Sequence, residues 1–352
     1  MIKCVVWDLD NTLLDGIYLE SPDQPPPPSP GMTGILAALA GRGVLHAIAS
    51  RNPPEAGQYA ERAIGHAFAA IQCGWGAKSA AISAIMSELG VSADAVAFVD
   101  DDALERAEVS FSLPDVLVLA PQDLADAVGW PQFGPPVVTD EARRRGQLYQ
   151  QRRSRQEEAH AFGGSREEFL RYCQTRVTIG PATVADLPRL HELSVRTHQF
   201  NSAGQTLSEA EFADLLGSPR RLIVTVRLTD RFGDDGIVGA CVIVPDSAPT
   251  PRPGGGTWQV PLLMMSCRAL GRGVIDALLT WICRTAAAAR AAQVAMRCLV
   301  SPRNVPLRIA LTGAGFRAGT DRGAAGVPRF AVYVRPLSEP LPELPDWVSV
   351  AQ

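Results

Sequence analysis

Apolar residues in the first third of the chain fall into short continuous runs, each ended by polar ones. Residues 2–7, 44–50 (VLHAIAS), 95–99 (AVAFV) and 116–119 read as strands, apolar throughout, as strands covered on both faces are. The stretches between them carry helical spacing: 33–41, 54–64 and 78–90, where Ala81, Ile82, Ile85, Met86 and Leu89 recur on one face. Strand and helix in alternation predict an α/β fold with a doubly wound parallel sheet, whose ligands sit beyond the carboxyl ends of the strands. Residues 21–31 (SPDQPPPPSPG) read as a stiff polyproline connection.

The alternation stops at 131–137 (PQFGPPV). Residues 139–158 are rich in Arg, Gln and Glu with few apolar positions, which predicts an exposed connecting helix. AFGGS at 161–165 reads as a hinge before a helix at 166–173. From about residue 176 a second, α+β pattern begins, with strands expected at 177–179, 222–228, 236–244, 257–265, 295–300 and 330–334. The pair 222–228 and 236–244 is expected to be antiparallel across a turn at 230–235. Helices are expected at 183–197, 274–289 and 306–312, and 248–256 reads as a flexible loop. The division predicted is a first domain at 1–135, a helical linker at 136–175, a second domain at 176–336 and a Pro-rich tail at 337–352, loose or laid on the surface.

Composition narrows the class. The chain has 352 residues, more than one core usually serves, so two domains are expected. A hydrophobic content of 46% and a mean hydropathy of +0.04 fit a soluble globular protein. A net charge of −4 gives no reason to expect a nucleic-acid or anionic-membrane partner. No long uncharged apolar run appears, and Met1-Ile2-Lys3 leads directly into a strand, so neither a membrane span nor a signal peptide is expected. Seven scattered cysteines without a CxxC pair fit reduced thiols and a cytoplasmic location. Of 33 basic residues only Lys3 and Lys78 are lysine, so a site that needs an ammonium has few sources.

The first strand ends in Asp8-Leu9-Asp10 and the third in Asp100-Asp101-Asp102. In a parallel sheet these acids meet at one crevice, where they repel unless a cation lies among them. Oxygen ligands without His or Cys select Mg²⁺. Ser50 ends the second strand and can hydrogen-bond a phosphate, and Lys78 opens a helix that brings a positive charge to the same point. A carboxylate nucleophile, a hydroxyl, an ammonium and a metal are the equipment for phosphoryl transfer.

DLDNTLLDG resembles the DxDxT signature of the haloacid-dehalogenase (HAD) superfamily, and Ser50 in AIASRN, Lys78 in WGAKS and Asp100-Asp101 in VDDD match its later motifs. The resemblance implies that Asp8 attacks phosphorus and Asp10 is the general acid/base. It implies that Thr12, Ser50, Arg51 and Lys78 bind the phosphoryl group. Asp8, Asp10 through its carbonyl, Asp100 and Asp101 would hold Mg²⁺. The short Pro-rich stretch after the first motif leaves no room for a large cap domain, so the site should be open to a bulky substrate.

In the second half, LMMSCRALGRGVIDALL (263–279) is a strand, an Arg/Gly loop and a helix, similar to the cofactor loop of the GNAT acyltransferase fold. There backbone amides at a helix N-terminus can cradle a pyrophosphate. Arg268, Gly271, Arg272 and Gly273 are the candidate phosphopantetheine and acyl-site residues. Cys267, beside two arginines and near a helix start, is a candidate nucleophile. His198 in VRTHQFNSAG is its candidate base or a substrate contact. The remaining cysteines read as small buried residues.

Together DLDNTLLDG, LHAIASRN, WGAKS, AFVDDDALERAEV, LPDVLVL, RTHQFN, DRFGDDGIVG and MSCRALGRGV resemble, in order and spacing, FkbH-like proteins, HAD subfamily IIIC enzymes with a GNAT-like C-terminal domain. The resemblance covers about residues 2–335. It implies transfer of the D-glyceryl group of 1,3-bisphosphoglycerate, or a related phosphoglycerate, to the phosphopantetheine thiol of an acyl carrier protein. Dephosphorylation accompanies the transfer, and the product supplies methoxymalonyl- or hydroxymalonyl-type extender units or lactyl-type starters in polyketide or related biosynthesis. Three positions depart from the family: Asp102-Ala103 after the acid pair, His198 where it has Asn, and Pro53 where it has Asp. The extra acid is expected to alter metal or phosphate binding. Two other readings stay open: a Mg²⁺-dependent phosphatase whose second domain only binds a partner, and a coenzyme A-dependent acetyltransferase with a vestigial first domain.

Overall fold

The computed structural model describes residues 1–21, 23–133, 144–197, 199–246, 255–319 and 330–351, apart from the side chains of Arg145 and Cys267. The chain divides into two compact units, Met1–Ser154 and Arg155–Gln352.

Unit one is built on five parallel strands: β1 (Cys4–Trp7), β2 (Leu45–Ser50), β3 (Ala70–Cys73), β4 (Val96–Val99) and β5 (Leu117–Leu119), in the spatial order β3-β2-β1-β4-β5. Helices α1 (Pro30–Gly41), α2 (Pro54–Ile64), α3 (Lys78–Leu89), α4 (Ala103–Ser112) and α5 (Pro121–Ala127) separate them. β1 is buried along its whole length. Val5 and Trp7 pack into a core with Leu36, Leu39, Ala56 and Leu124, while Cys4 and Val6 pack into a second core with Ile82, Ile85 and Val109. Alternating side chains thus serve two helix layers, which is why the strand has no polar face. The sheet has one more strand than the sequence predicts: β3 lies at 70–73, four residues interrupted by Gln72 and too short to stand out.

The polyproline stretch is fixed rather than free. Leu14 and Pro28 form an antiparallel bridge, Asp15 N–H donates to Pro27 O, and Tyr59 Oη donates to Pro25 O and Pro26 O. The expected connecting helix is α6 (Arg145–Ala161), and the boundary between the units falls inside it. Part of its expected range, 139–143, lies outside the described residues, as do most of the expected loop at 248–256 and of the breaker at 131–137.

Unit two holds an eight-stranded mixed sheet. Its strands are β6 (Thr175–Pro181), β7 (Leu222–Asp230), β8 (Gly233–Val244), β9 (Thr257–Met265), β10 (Gln293–Leu299), β11 (Arg317–Ala318), β12 (Phe330–Pro336) and β13 (Val348–Ala351). The order is β11-β12-β10-β9-β8-β7-β6-β13, with parallel pairs only at β9–β10 and β6–β13. Helices α7 (Arg166–Cys173), α8 (Leu187–Arg196), α9 (Glu209–Leu216), α10 (Val274–Ala288) and α11 (Val305–Gly313) complete it. One core joins α10 and α11 to the sheet; a second gathers Leu190, Leu193 and Phe212. The hairpin β7–β8 pairs as far as Asp230 with Gly233, so the expected turn at 230–235 shrinks to two residues and Asp235 enters a strand.

Of the two expectations for the tail, loose or laid on the surface, the structure rules out the loose one. Residues 348–351 pair in parallel with β6, and Leu337, Leu341, Leu344, Trp347 and Val350 pack on the larger core. A Pro-rich composition masked strand pairing that depends on only four residues.

Candidate active site

β1 and β4 are adjacent and parallel, so the residues that follow them emerge side by side: Asp8 after Trp7, Asp100 after Val99. Between them comes Lys78, the first residue of α3, 3% exposed. Its Nζ donates to Asp8 Oδ1 at 2.5 Å, to Asp100 Oδ2 at 2.9 Å and to Ala49 O at 3.0 Å. All three ammonium hydrogens are used. Asp101 joins the group: one carboxylate oxygen from each of Asp8, Asp100 and Asp101 lies within 4.8 Å of the others.

Burial pushes the Asp8 carboxyl up to about 6, with Lys78 opposing and Asp100 reinforcing the rise. Burial would lower the Lys78 ammonium, but Asp8 and Asp100 outweigh it and hold it above its ordinary value. Burial, then the neighbouring Asp100, raise Asp101. Three carboxylates against one ammonium leave two negative charges uncompensated. Hard oxygen donors at this spacing with that deficit fit a divalent cation, and Mg²⁺ in particular.

The Asp10 carboxylate is not part of this group and has partners of its own. Tyr18 N–H donates to its Oδ1 at 2.9 Å, and Asn52 Nδ2 donates to its Oδ2 at 2.9 Å. The turn Leu9–Leu13 that carries it contains Asn11 at φ 51, a left-handed conformation that Asn tolerates. Ser50, buried at the end of β2, accepts from Asn52 Nδ2 at 3.0 Å. Thr12 is buried and its Oγ1 has no partner among the described residues. A buried unpaired hydroxyl in the turn that follows Asp8 is the kind of atom a bound oxyanion satisfies. Arg51 lies at the rim: its Nη1 pairs with Glu105 at 2.6 Å, and its Nε donates to Gly76 O at 3.3 Å.

Asp102 does not enlarge the acid group. Its Oδ1 accepts from Leu104 N at 2.8 Å and caps α4, so the residue serves a helix end rather than a ligand. Pro53 likewise precedes α2, with Pro54 in its first turn. Asn52 was not among the residues singled out from the sequence. The signal for it was there: a carboxylate beside an apolar strand end needs a donor, and SRN supplies one two residues after Ser50.

The second candidate set separates. Arg272 is a correction. It is 6% exposed, and its Nη1 and Nη2 donate to Asp235 Oδ2 at 2.5 Å and Asp230 Oδ2 at 2.7 Å. Arg155 Nε also donates to Asp230 Oδ2 at 2.7 Å. The Arg272 guanidinium therefore anchors the loop instead of facing a ligand. Gly271 and Gly273 have φ of 71° and 79°, as the Gly-rich reading requires. At Gly273, a Cβ would lie 2.7 Å from Val348 Cγ2 and 3.1 Å from Trp347 Nε1, so the C-terminal segment packs on that face of the loop. Arg268 Nε contacts Ser266 Oγ at 3.4 Å. His198 and the Cys267 side chain lie outside the described residues. Cys4, Cys173, Cys241, Cys283 and Cys298 are buried and Cys73 is half-buried, all six as free thiols.

No helix among the described residues is long and apolar enough to cross a membrane. No protein-family model matches the chain. No curated protein matches it either. Solved structures do. The N-terminal part of a Bacteroides fragilis protein, containing a phosphatase domain and complexed with Mg, is 21% identical with a TM-score of 0.33. That match covers 38% of this chain and 40% of the other, so it spans less than half of the solved Bacteroides chain. A Desulfovibrio desulfuricans protein assigned to the GNAT acetyltransferases is 15% identical with a TM-score of 0.36, over 46% of this chain and 99% of the other. The aminoglycoside acetyltransferase AAC(6')-Ib, in complex with coenzyme A, is 17% identical with a TM-score of 0.35, over 46% and 94%. The fold class is that expected from the sequence: an α/β unit on a parallel sheet, followed by an α+β unit on a mixed sheet.

Proposed function

We propose that the chain is a Mg²⁺-dependent phosphotransferase joined to an acyl-handling unit. In this reading it loads the D-glyceryl group of 1,3-bisphosphoglycerate, with loss of phosphate, onto the phosphopantetheine thiol of an acyl carrier protein in polyketide-type biosynthesis. The observation that carries the first half is the convergence of Asp8, Asp100 and Asp101 around Lys78 at the carboxyl edge of a parallel sheet. Asp8 is the nucleophile; Lys78 keeps it oriented and ionised. Ser50 and Thr12 hydroxyls bind phosphoryl oxygens, and Asp10 delivers and removes protons. Asp8, Asp100 and Asp101 would hold Mg²⁺, which supplies charge neutralisation at the phosphoryl oxygens. The carrier-protein half rests on the resemblance of the whole chain to FkbH-like proteins.

Intact-protein mass spectrometry tests it. The enzyme is mixed with Mg²⁺, 1,3-bisphosphoglycerate generated in situ and a phosphopantetheinylated carrier protein. A glyceryl adduct on the carrier, lost with Asp8→Asn, is the expected result. Free phosphate without any adduct favours the other reading, a phosphatase whose second unit only binds a partner. The enclosure of Arg272 in a buried ion cluster is the observation on that side.

A further inference from the structure

Asn52 is 1% exposed and touches two groups of the site at once. Its Nδ2 donates to Asp10 Oδ2 at 2.9 Å and to Ser50 Oγ at 3.0 Å. A side-chain amide nitrogen has two hydrogens, so both are used. Its Oδ1 is buried and has no partner among the described residues. Leaving a buried acceptor unpaired destabilises the fold. The fold carries that cost with the amide nitrogen turned toward the site, and the other Asp10 oxygen is already held by Tyr18 N–H.

We propose that Asn52 is a positioning residue for phosphoryl transfer. It fixes the Asp10 carboxyl for proton delivery to the leaving group and turns the Ser50 O–H toward the phosphoryl oxygens. This rests on the phosphotransferase reading of unit one. Ser50 Oγ has one hydrogen and two lone pairs; accepting from Asn52 on a lone pair leaves its hydrogen to donate elsewhere. In the first step the bond from Asp8 Oδ to phosphorus forms while the bond from phosphorus to the leaving oxygen breaks. The proton on Asp10 passes to that oxygen. Water then attacks phosphorus and gives its proton to Asp10, and the phosphorus–oxygen bond to Asp8 breaks, releasing inorganic phosphate and restoring both carboxyls. Without Asn52, Asp10 Oδ2 loses this donor, and the Tyr18 N–H on Oδ1 alone holds the carboxyl less firmly toward the leaving oxygen.

The test is a leaving-group comparison. kcat/KM is measured with Mg²⁺ on glycerol phosphate, whose alkoxide needs a proton to depart, and on 4-nitrophenyl phosphate, whose phenolate does not. This ratio reports steps only as far as the first phosphorus–oxygen cleavage, so the later hydrolysis does not enter. Asn52→Ala is expected to lower it by about 100-fold on glycerol phosphate and by less than about 5-fold on the aryl ester. Asn52→Asp keeps the shape, removes both donors and is expected to show the same split. Equal losses on the two esters in both variants would mean a structural role and overturn the proposal. A wild-type enzyme that hydrolyses neither ester removes the phosphotransferase reading, and this inference with it. A wild-type enzyme that hydrolyses both, beside variants without the split, removes only the inference.

Discussion

Arg272 tests the correction in unit two most directly. Its guanidinium meets Asp235 Oδ2 at 2.5 Å and Asp230 Oδ2 at 2.7 Å, and Arg155 reaches the same two acids at 3.7 and 2.7 Å. The Asp230 side chain is fully enclosed, and that of Asp235 is 2% exposed. Two guanidinium groups thus balance two carboxylates out of water. Arg272→Met deletes one cation and two charge-assisted hydrogen bonds and leaves a buried negative charge. Breaking such a pair from one side costs about 3–5 kcal/mol, most of it the stranded charge rather than the lost attraction. With a urea slope of about 2 kcal/mol per M, the transition of unit two should move down by about 2 M. The double variant Arg272→Met/Asp235→Asn removes the stranded charge as well and should recover at least half of that loss. Urea unfolding followed by circular dichroism on the four proteins of this cycle measures both effects. A shift below about 0.5 M for Arg272→Met, at the level of an exposed ion pair, would refute the reasoning. So would a double variant less stable than Arg272→Met alone.

Three further outcomes are expected. Lys78→Met should lower kcat for phosphate release by about 100- to 1,000-fold, because the nucleophile loses its stabilising charge; the same change should tighten Mg²⁺ binding by calorimetry, since a positive charge leaves the acid group. His46 accepts from Trp7 Nε1 at 3.0 Å and is held neutral by burial and by His66, well below its ordinary value of 6.5. Its contribution is therefore present above pH 6.5 and is lost as the pH falls, because only the unfolded chain takes the proton, at about 1.4 kcal/mol per pH unit. Asp8, raised to about 6, acts with the opposite sign between its unfolded and folded values. The comparison is therefore with His46→Gln, which should show a shallower acid loss in urea titrations at pH 6.5 and 5.5. Removal of residues 337–352 should destabilise unit two by at least about 3 kcal/mol through the apolar side chains it uncovers, and an unchanged thermal transition would contradict the packing of the tail.

The first site was legible because its chemistry is local in sequence. Each of Asp8, Ser50 and Asp100 ends or follows an apolar run, and a parallel sheet carries such ends to one edge whatever the rest of the chain does. Lys78 was legible from scarcity, being one of two lysines. What failed to show in sequence depends on contacts between distant residues. An arginine in a Gly-rich loop looks the same whether it faces an anion or a buried acid 37 positions away. Asp230, Asp234 and Asp235 looked like turn residues because acids usually are, and only the hairpin register turns Asp235 inward. The strand at 348–351 was hidden for the same reason: four residues carry no period, and their partner is more than 170 positions earlier.

The same distinction bears on the mechanism. Asp102 stands in sequence as a third acid at the metal edge, but a carboxylate two residues before a free helix amide is drawn to cap it. Once capped, it leaves Asp100 and Asp101 as the acids available from that strand end. Asp100 Oδ1 is engaged by Asp102 N–H at 2.8 Å and its Oδ2 by Lys78, which fixes the orientation of its carboxylate before any ligand arrives. Asp101 is exposed and has more freedom to adjust. A site with one rigid and one adjustable acid can hold its geometry at phosphorus while admitting a bulky substrate. Asp101→Asn should therefore weaken Mg²⁺ affinity with modest loss of kcat at saturating Mg²⁺. Asp100→Asn should lose kcat even there, because it also removes one of the two carboxylates that hold Lys78. Equal recovery of both variants at high Mg²⁺ would show that the two carboxylates are interchangeable and that the Lys78 contact orients nothing.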